Sequence, residues 1–464
     1  MITSVNQFLT YLGLAEAGVG TATVVALYTP LALKQTEEVN SILSATRKFY
    51  NKSGMLFLAL TLVLIGVYPF FISGQLENSL VRWMILVLAG STLVDYFFLG
   101  KYRVLLTANQ EGYVVALIQA AGTIVNMVVS IFLIYIGAGV LFVKAVATGV
   151  YMLRLVLVKI YAKRKYPALD FYAEPNEGAL KQKNAALLHQ VVGIIVNNTD
   201  TTVLTICLGA KSLLEVSVYG IYMMVVNAVN QLMTSFSNGL TAGFGEVIAK
   251  NEEETLKKSY SSYEYMYFVI MFIVIACMGV LILPFVGVYT INLTDVQYVR
   301  PVLGILFTLI VFMQNVRIPG LTIICAAGHY KETRYQAILE AVINITVSLG
   351  LVWKFGMAGV LLGTVCSYGY RSFEIVFYTS RHLVKGCAKK SMFRILRNVF
   401  TVAILCTVGT YVIPQEITSF TTWFLYAIGM GLTSVFLVVV INYVVEPDEF
   451  MQLRHRVNDI IKKE

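Results

Sequence analysis

Charge is scarce in this sequence. Only 13% of its 464 residues are charged and 58% are hydrophobic, whereas a soluble domain carries about 25% charge. A water-soluble fold of this size would have nowhere to bury so much apolar surface. Paired cysteines are missing as well. Cys207, Cys277, Cys325, Cys366, Cys387 and Cys406 are scattered through apolar runs with no CxxC spacing, which argues against a disulfide framework and a zinc site. His189, His329, His382 and His455 form no ligand cluster, so no resident metal or cofactor is expected. The N-terminus lacks a basic n-region, and Glu16 interrupts its first apolar stretch, so no cleavable signal peptide is visible. The longest loop, about 160–185, is basic and carries no acidic metal-binding or paired catalytic constellation. An enzyme is therefore not expected.

What the chain has instead is long, continuously apolar runs such as Met55 to Ile72 and Tyr265 to Leu283, long enough to cross about 30 Å of hydrocarbon. A membrane barrel would show alternating strands of roughly ten residues, and none are apparent. The expected fold class is an all-α polytopic membrane protein. Helices are expected at 4–30, 54–73, 80–100, 113–136, 138–158, 186–208, 214–246, 264–289, 299–326, 335–352, 356–380, 396–413 and 419–444, about thirteen in all. Lys34 to Lys52 and Lys250 to Tyr263 read as amphipathic helix extensions. Tyrosines near helix ends, including Tyr50, Tyr260 and Tyr263, are expected at the membrane interface.

The loops sort into two sets. One holds most of the lysine and arginine, including Arg47, Lys48, Lys52, Lys101, Arg103, Lys159 to Lys183, Arg381 to Arg397 and the tail; the alternate loops hold only Arg82, Lys211, Arg300 and Lys354. The positive-inside rule places the first set, with the C-terminus, in the cytoplasm. Topology thus accounts for the net charge of +9, and no nucleic-acid partner is needed.

Two stretches repeat. From Asn109 and from His329 the chain runs polar loop, helix, glycine-containing turn, helix and basic end; Asn126 falls on Asn344, Ser130 on Ser348 and Gly139 on Gly359. The copies lie an even number of helices apart, which makes the repeat parallel, and two lobes facing a central cavity suit alternating access.

At this point the segments NQFLTYLGLAEAGVGTATVVALYTPLALKQTEEVNSILSATRKFY, NNTDTTVL and AAGHYKETRYQAILEAVIN resemble the polysaccharide repeat-unit flippases (O-antigen and capsule) of the multidrug/oligosaccharidyl-lipid/polysaccharide exporter (MOP) superfamily. That resemblance implies two pseudo-symmetric six-helix lobes plus a C-terminal helix pair. The expected division is 1–160 for the N-terminal lobe, 161–185 for a basic cytoplasmic linker, 186–385 for the C-terminal lobe, 396–444 for the additional pair and 445–464 for a cytoplasmic tail. Members usually carry a further apolar helix ahead of Ser4, so the first lobe is expected to lack its first helix, through a misplaced gene start or truncation. The implied substrate is a polyprenyl-diphosphate-linked oligosaccharide, moved across the cell membrane. A polysaccharide polymerase and an initiating transferase are the implied partners, besides the bilayer itself. The rival expectations are an ion-coupled multidrug exporter of the same superfamily and a peptidoglycan lipid-precursor flippase.

Ionisable groups at membrane depth cost about 2.5–3.5 kcal/mol or more and by default face the bundle interior. For a diphosphate substrate the candidates are Arg317, Lys144 and Arg371, because guanidinium forks bind phosphate. Arg317 leads, since Pro319-Gly320 behind it should break its helix and free backbone groups. The competing role for Arg317 is a strut between lobes, paired with Asp200 or Glu340; Lys144 could snorkel, and Arg371 and Arg154 could anchor at the interface. For a coupling ion, H+ or Na+, the candidates are Glu16, Asp200, Glu340 and Asn344, with Glu340 and Asn344 one turn apart on one helical face.

Overall fold

The computed structural model describes residues 9, 12, 19–71, 78–180, 183–208, 212–237, 240–414 and 417–451. Among them are helices and turns and no strand. In chain order the helices are α1 (Val19–Ala32), α2 (Thr36–Phe71), α3 (Asn78–Val94), α4 (Gly100–Ala108), α5 (Gly112–Tyr135), α6 (Val140–Lys165), α7 (Lys183–Cys207), α8 (Ser212–Ser237), α9 (Leu240–Ala249), α10 (Glu253–Tyr289), α11 (Pro301–Val316), α12 (Ile318–Ala326), α13 (Arg334–Phe355), α14 (Met357–His382), α15 (Ala388–Val412) and α16 (Phe420–Val445). The all-helical expectation holds. Ten described stretches are long and apolar enough to cross a membrane. Of the three expected spans outside that set, the one at 4–30 lies partly outside the described residues, and α7 and α14 exist as helices with nearly the expected bounds. Their deficit is polar: Asn197, Asn198 and Asp200 lie in α7, and Arg371 and Glu374 in α14.

Two local expectations need revision, and the break expected at Pro319-Gly320 is present. The span expected at 80–100 does not stop before Lys101 and Arg103; a single π turn, Asp95–Leu99, joins α3 to α4, so those cations lie on a helix rather than in a loop. The span expected at 299–326 is two helices meeting at Arg317, with Pro319 in the first turn of α12, where its missing N–H costs nothing. Tyr50, Tyr260 and Tyr263 are buried rather than interfacial.

The chain divides into two compact units. The first takes in residues to Val191 with Gly239–Lys250 and Gly328–Lys331; the second takes in Val192–Asn238, Asn251–Ala327 and the chain from Glu332. In the first unit, Leu27, Ile42, Leu43, Phe57, Ile85 and Leu106 form a shared core. The segment after α6 is tied back onto α2: Asn40 Nδ2 donates to Ala168 O at 3.1 Å, Asn40 Oδ1 accepts from Asp170 N at 3.1 Å, and Asn176 N donates to Ser41 O at 3.2 Å.

Between α4 and α5, Glu111 gathers that segment further. Tyr166 and Asn109 donate to its Oε1 at 2.5 and 2.9 Å, Tyr161 donates to Oε2 at 3.1 Å, and Lys165 pairs with it at 2.9 Å. Burial pushes the Glu111 carboxyl up, but these hydrogen bonds together outweigh it and hold the group below the usual carboxylate range. A carboxyl depressed on folding binds fewer protons folded than unfolded. Its contribution is complete above the unfolded value and is lost as pH falls through the folded one. Amide protection in residues 166–170, taken against the intrinsic rate at the same pH, is therefore expected to fall in the parent as pH drops below the ordinary glutamate range. In Glu111→Gln it should already be low at pH 7; equal protection of the two proteins at pH 7 would contradict this role.

In the second unit, α10 is the spine against which α11, α15 and α16 all pack. The α13–α14 hairpin is the tightest contact, and its closeness depends on Gly359 and Gly363, spaced as Gly-xxx-Gly. A Cβ at Gly363 would collide with Ser348 Oγ and lie 2.7 Å from Ser348 N. Gly363→Val should pry the hairpin apart and lower stability by about 1–3 kcal/mol, read as a lower unfolding temperature of the solubilised protein. An unchanged temperature would contradict the close seam.

Candidate functional site

The polar residues that lower the hydropathy of α7 and α14 do not scatter in the second unit. They meet residues of α8 and α13 and the α11–α12 joint in one buried network. At one end lies Asp200, whose residue is 3% exposed. Its Oδ1 accepts from Thr364 Oγ1 at 2.7 Å and its Oδ2 from Tyr219 OH at 3.3 Å. Thr364 Oγ1 in turn accepts from Asn344 Nδ2 at 3.0 Å, while Asn344 Oδ1 is buried without a hydrogen-bond partner among the described residues. Buried polar groups are normally satisfied, so an orphan acceptor close to a carboxylate marks a place for an added donor or cation.

At the other end are charges. Glu340 pairs with Arg317 and, at 3.5 Å, with Arg371, and Arg371 also pairs with Glu374. Tyr368 joins the two ends: the Arg317 guanidinium lies 4.4 Å from its ring centroid, and its hydroxyl donates to Asn197 Oδ1 at 3.1 Å. Two guanidiniums face two carboxylates, so this half is charge-balanced. Asp200 is different, because no cationic side chain pairs with it among the described residues.

The structure thus brings together Asp200, Glu340, Asn344, Arg317 and Arg371 from the expected set. It leaves out Lys144, half-buried on α6 in the first unit, and Glu16 lies outside the described residues. Of the two partners expected for Arg317, Glu340 is the one it meets; both residues lie in one unit, so the pair is not the expected strut between lobes. Arg371 is no interfacial anchor, being 2% exposed. Asn126 and Ser130, the repeat partners of Asn344 and Ser348, are only half-buried in the first unit, so the polar face of the repeat is enclosed in one copy and not the other.

A second cluster was not expected. Arg394, counted from sequence as a loop cation, is fully buried on α15. Its guanidinium reaches Glu264 on α10 at 3.0 Å and, beyond α16, Glu446 at 3.0 Å and Glu449 at 3.4 Å. Arg397 adds a pair with Glu446 at 2.8 Å and a hydrogen bond to Asn442. Glu264 at the edge of an apolar run was the available signal.

The described helices form the fold of the MATE transporters. The chain superposes on a mutant of the Vibrio cholerae MATE transporter VcmN, with TM-score 0.66 and 14% identity over 82% of this chain and 89% of that one. It also superposes on the outward-facing conformation of a multidrug resistance MATE family transporter of the MOP superfamily, with TM-score 0.60 and 14% identity over 86% of each chain. A third, a MATE in complex with Br-NRF, gives TM-score 0.54 at 14% identity over 86% of each chain. No protein-family model matches the sequence, and no curated protein matches it. At these identities the likeness is one of fold.

Proposed function

We propose that this chain is an ion-coupled exporter of the MOP superfamily in which Asp200 carries the coupling H+ or Na+. The observation that supports this most is the contrast among buried carboxylates. Glu340, Glu264 and Asp95 each have an arginine partner, whereas Asp200 has only hydroxyl donors among the described residues. A buried carboxylate without a counter-ion is costly, and an entering proton or sodium ion removes that cost. Binding and release of the ion would then shift the balance between conformations by the difference in affinity for the two.

For the substrate, the fold neighbours favour the multidrug reading, an amphiphilic compound expelled from the cytoplasm. The charge balance at Arg317 and Arg371 also gives no surplus of positive charge dedicated to a diphosphate. The second reading, a flippase for polyprenyl-diphosphate-linked oligosaccharides, is favoured by the segments NNTDTTVL and AAGHYKETRYQAILEAVIN, which hold Asp200, Glu340 and Asn344.

Deleting the gene separates the two readings. Increased sensitivity to lipophilic cations with unchanged lipid-linked sugars is the outcome expected for a drug exporter. Repeat units trapped on the cytoplasmic leaflet with loss of surface polymer would overturn that reading in favour of the flippase. Transport that needs no H+ or Na+ gradient would sink ion coupling for either substrate.

A further inference from the structure

In the first unit, a groove opens between α2 and the segment that follows α6. It has a volume of about 430 Å³ and is lined by Ser44, Arg47, Lys48, Asn51, Lys52 and Met55 on one side and by Tyr172, Ala173 and Pro175 on the other. No acidic side chain lines it; Glu174 lies between two lining residues but is not part of the wall. The Arg47 guanidinium stacks 3.8 Å from the centroid of the Tyr172 ring, and its Nε is buried with no hydrogen-bond partner among the described residues. The wall is held in place, because Asn40 and Ser41 fasten the incoming segment to α2. Lys101 lies within electrostatic reach of Arg47 and adds to the same positive field.

Two features say what the groove takes. Three cations, Arg47, Lys48 and Lys52, around one cavity suit a phosphate group. One turn beyond Lys52, Met55 and Leu56 are 66% and 52% exposed, and Leu62 and Val63 continue the apolar surface. The ligand thus meets cations at one end and a hydrocarbon-facing helix at the other. The geometry points to a site for the phosphate headgroup of an anionic lipid of the leaflet facing the basic loops, its acyl chains lying along α2 beyond Met55. Such a site is separate from the transport network in the second unit, and a lipid seated there would clamp the segment after α6 to α2.

The test uses the full-length protein in detergent, titrated with short-chain phosphatidylglycerol, phosphatidylcholine and inorganic phosphate, with bound ligand counted by native mass spectrometry. One phosphatidylglycerol should be retained at least about tenfold more tightly than phosphatidylcholine. Arg47→Gln with Lys52→Gln should lose that preference, while Lys163→Gln with Arg164→Gln, an equal charge change on exposed residues outside the groove, should keep it. Equal loss in both pairs would reduce the effect to general surface charge and overturn the site. So would equal retention of the two lipids by the parent. Inorganic phosphate binding as tightly as phosphatidylglycerol would overturn the lipid as its source. Because binding is read without transport, failure here leaves the export proposal standing, and the reverse.

Discussion

Asp200→Asn should abolish ion-coupled export while the protein still accumulates and folds. The amide oxygen can still accept from Thr364, as Asp200 Oδ1 does at 2.7 Å, so the contact between α7 and α14 survives. What disappears is the negative charge, and with it the ability to take up a proton or a sodium ion. Removing an uncompensated buried charge is neutral or stabilising, so the unfolding temperature of the variant should match or exceed that of the parent. That combination, dead transport in a protein at least as stable, is hard to produce by simple damage. The check is substrate flux into proteoliposomes under an imposed H+ or Na+ gradient, alongside thermal unfolding of the same preparation. Gradient-dependent flux near the parental rate in Asp200→Asn would remove Asp200 from the coupling role. Tyr219→Phe removes only one donor and should weaken transport without abolishing it.

The largest stability effect is expected at Arg394→Ala. The arginine side chain is 1% exposed and that of Glu264 is 3% exposed, so truncation leaves a carboxylate in the interior facing nothing positive. Breaking a buried pair in this way costs about 3–5 kcal/mol. Ser391 and Tyr260 still donate to Glu264 and soften the loss without supplying charge. The variant should unfold at a clearly lower temperature and be cleaved more readily between α15 and α16. Arg394→Met combined with Glu264→Gln removes both charges and should recover part of the loss. If the single variant were as stable as the parent, the cluster would be ornamental, and α15 and α16 would be held by apolar packing alone.

Much of this was legible from sequence because a membrane makes polarity conspicuous. Asp200, Glu340 and Asn344 each interrupt an apolar helix, and lipid gives such groups no place except the interior. The break at Arg317 was legible for a local reason, Pro319 followed by Gly320. Arg394 was misread by the same reasoning that worked elsewhere. Counting cations at helix ends gives orientation, but it treats every such cation as wet. Whether a terminal arginine meets water or a carboxylate depends on a helix more than a hundred residues away, Glu264 in this instance. The partner of Arg317 was undecided between Asp200 and Glu340 for a similar reason, since both are acidic and neither is near it in the chain. Lys101 and Arg103 were assigned to a loop because a π turn has no compositional mark, and α3 runs through it into α4.

On the proposed coupling role of Asp200, the seam at Gly359 and Gly363 would bear on ion choice as well as on stability. With the two helices of the hairpin pressed together, Asn344 on one and Thr364 on the other are held at a fixed gauge, like the jaws of a set calliper. A proton has no size to match and tolerates any gauge, whereas sodium needs several oxygens at one spacing. A small widening, such as Gly363→Ala would impose, should therefore penalise sodium before it penalises protons. The ion that drives this chain would then be set partly by a glycine that touches neither ion nor substrate.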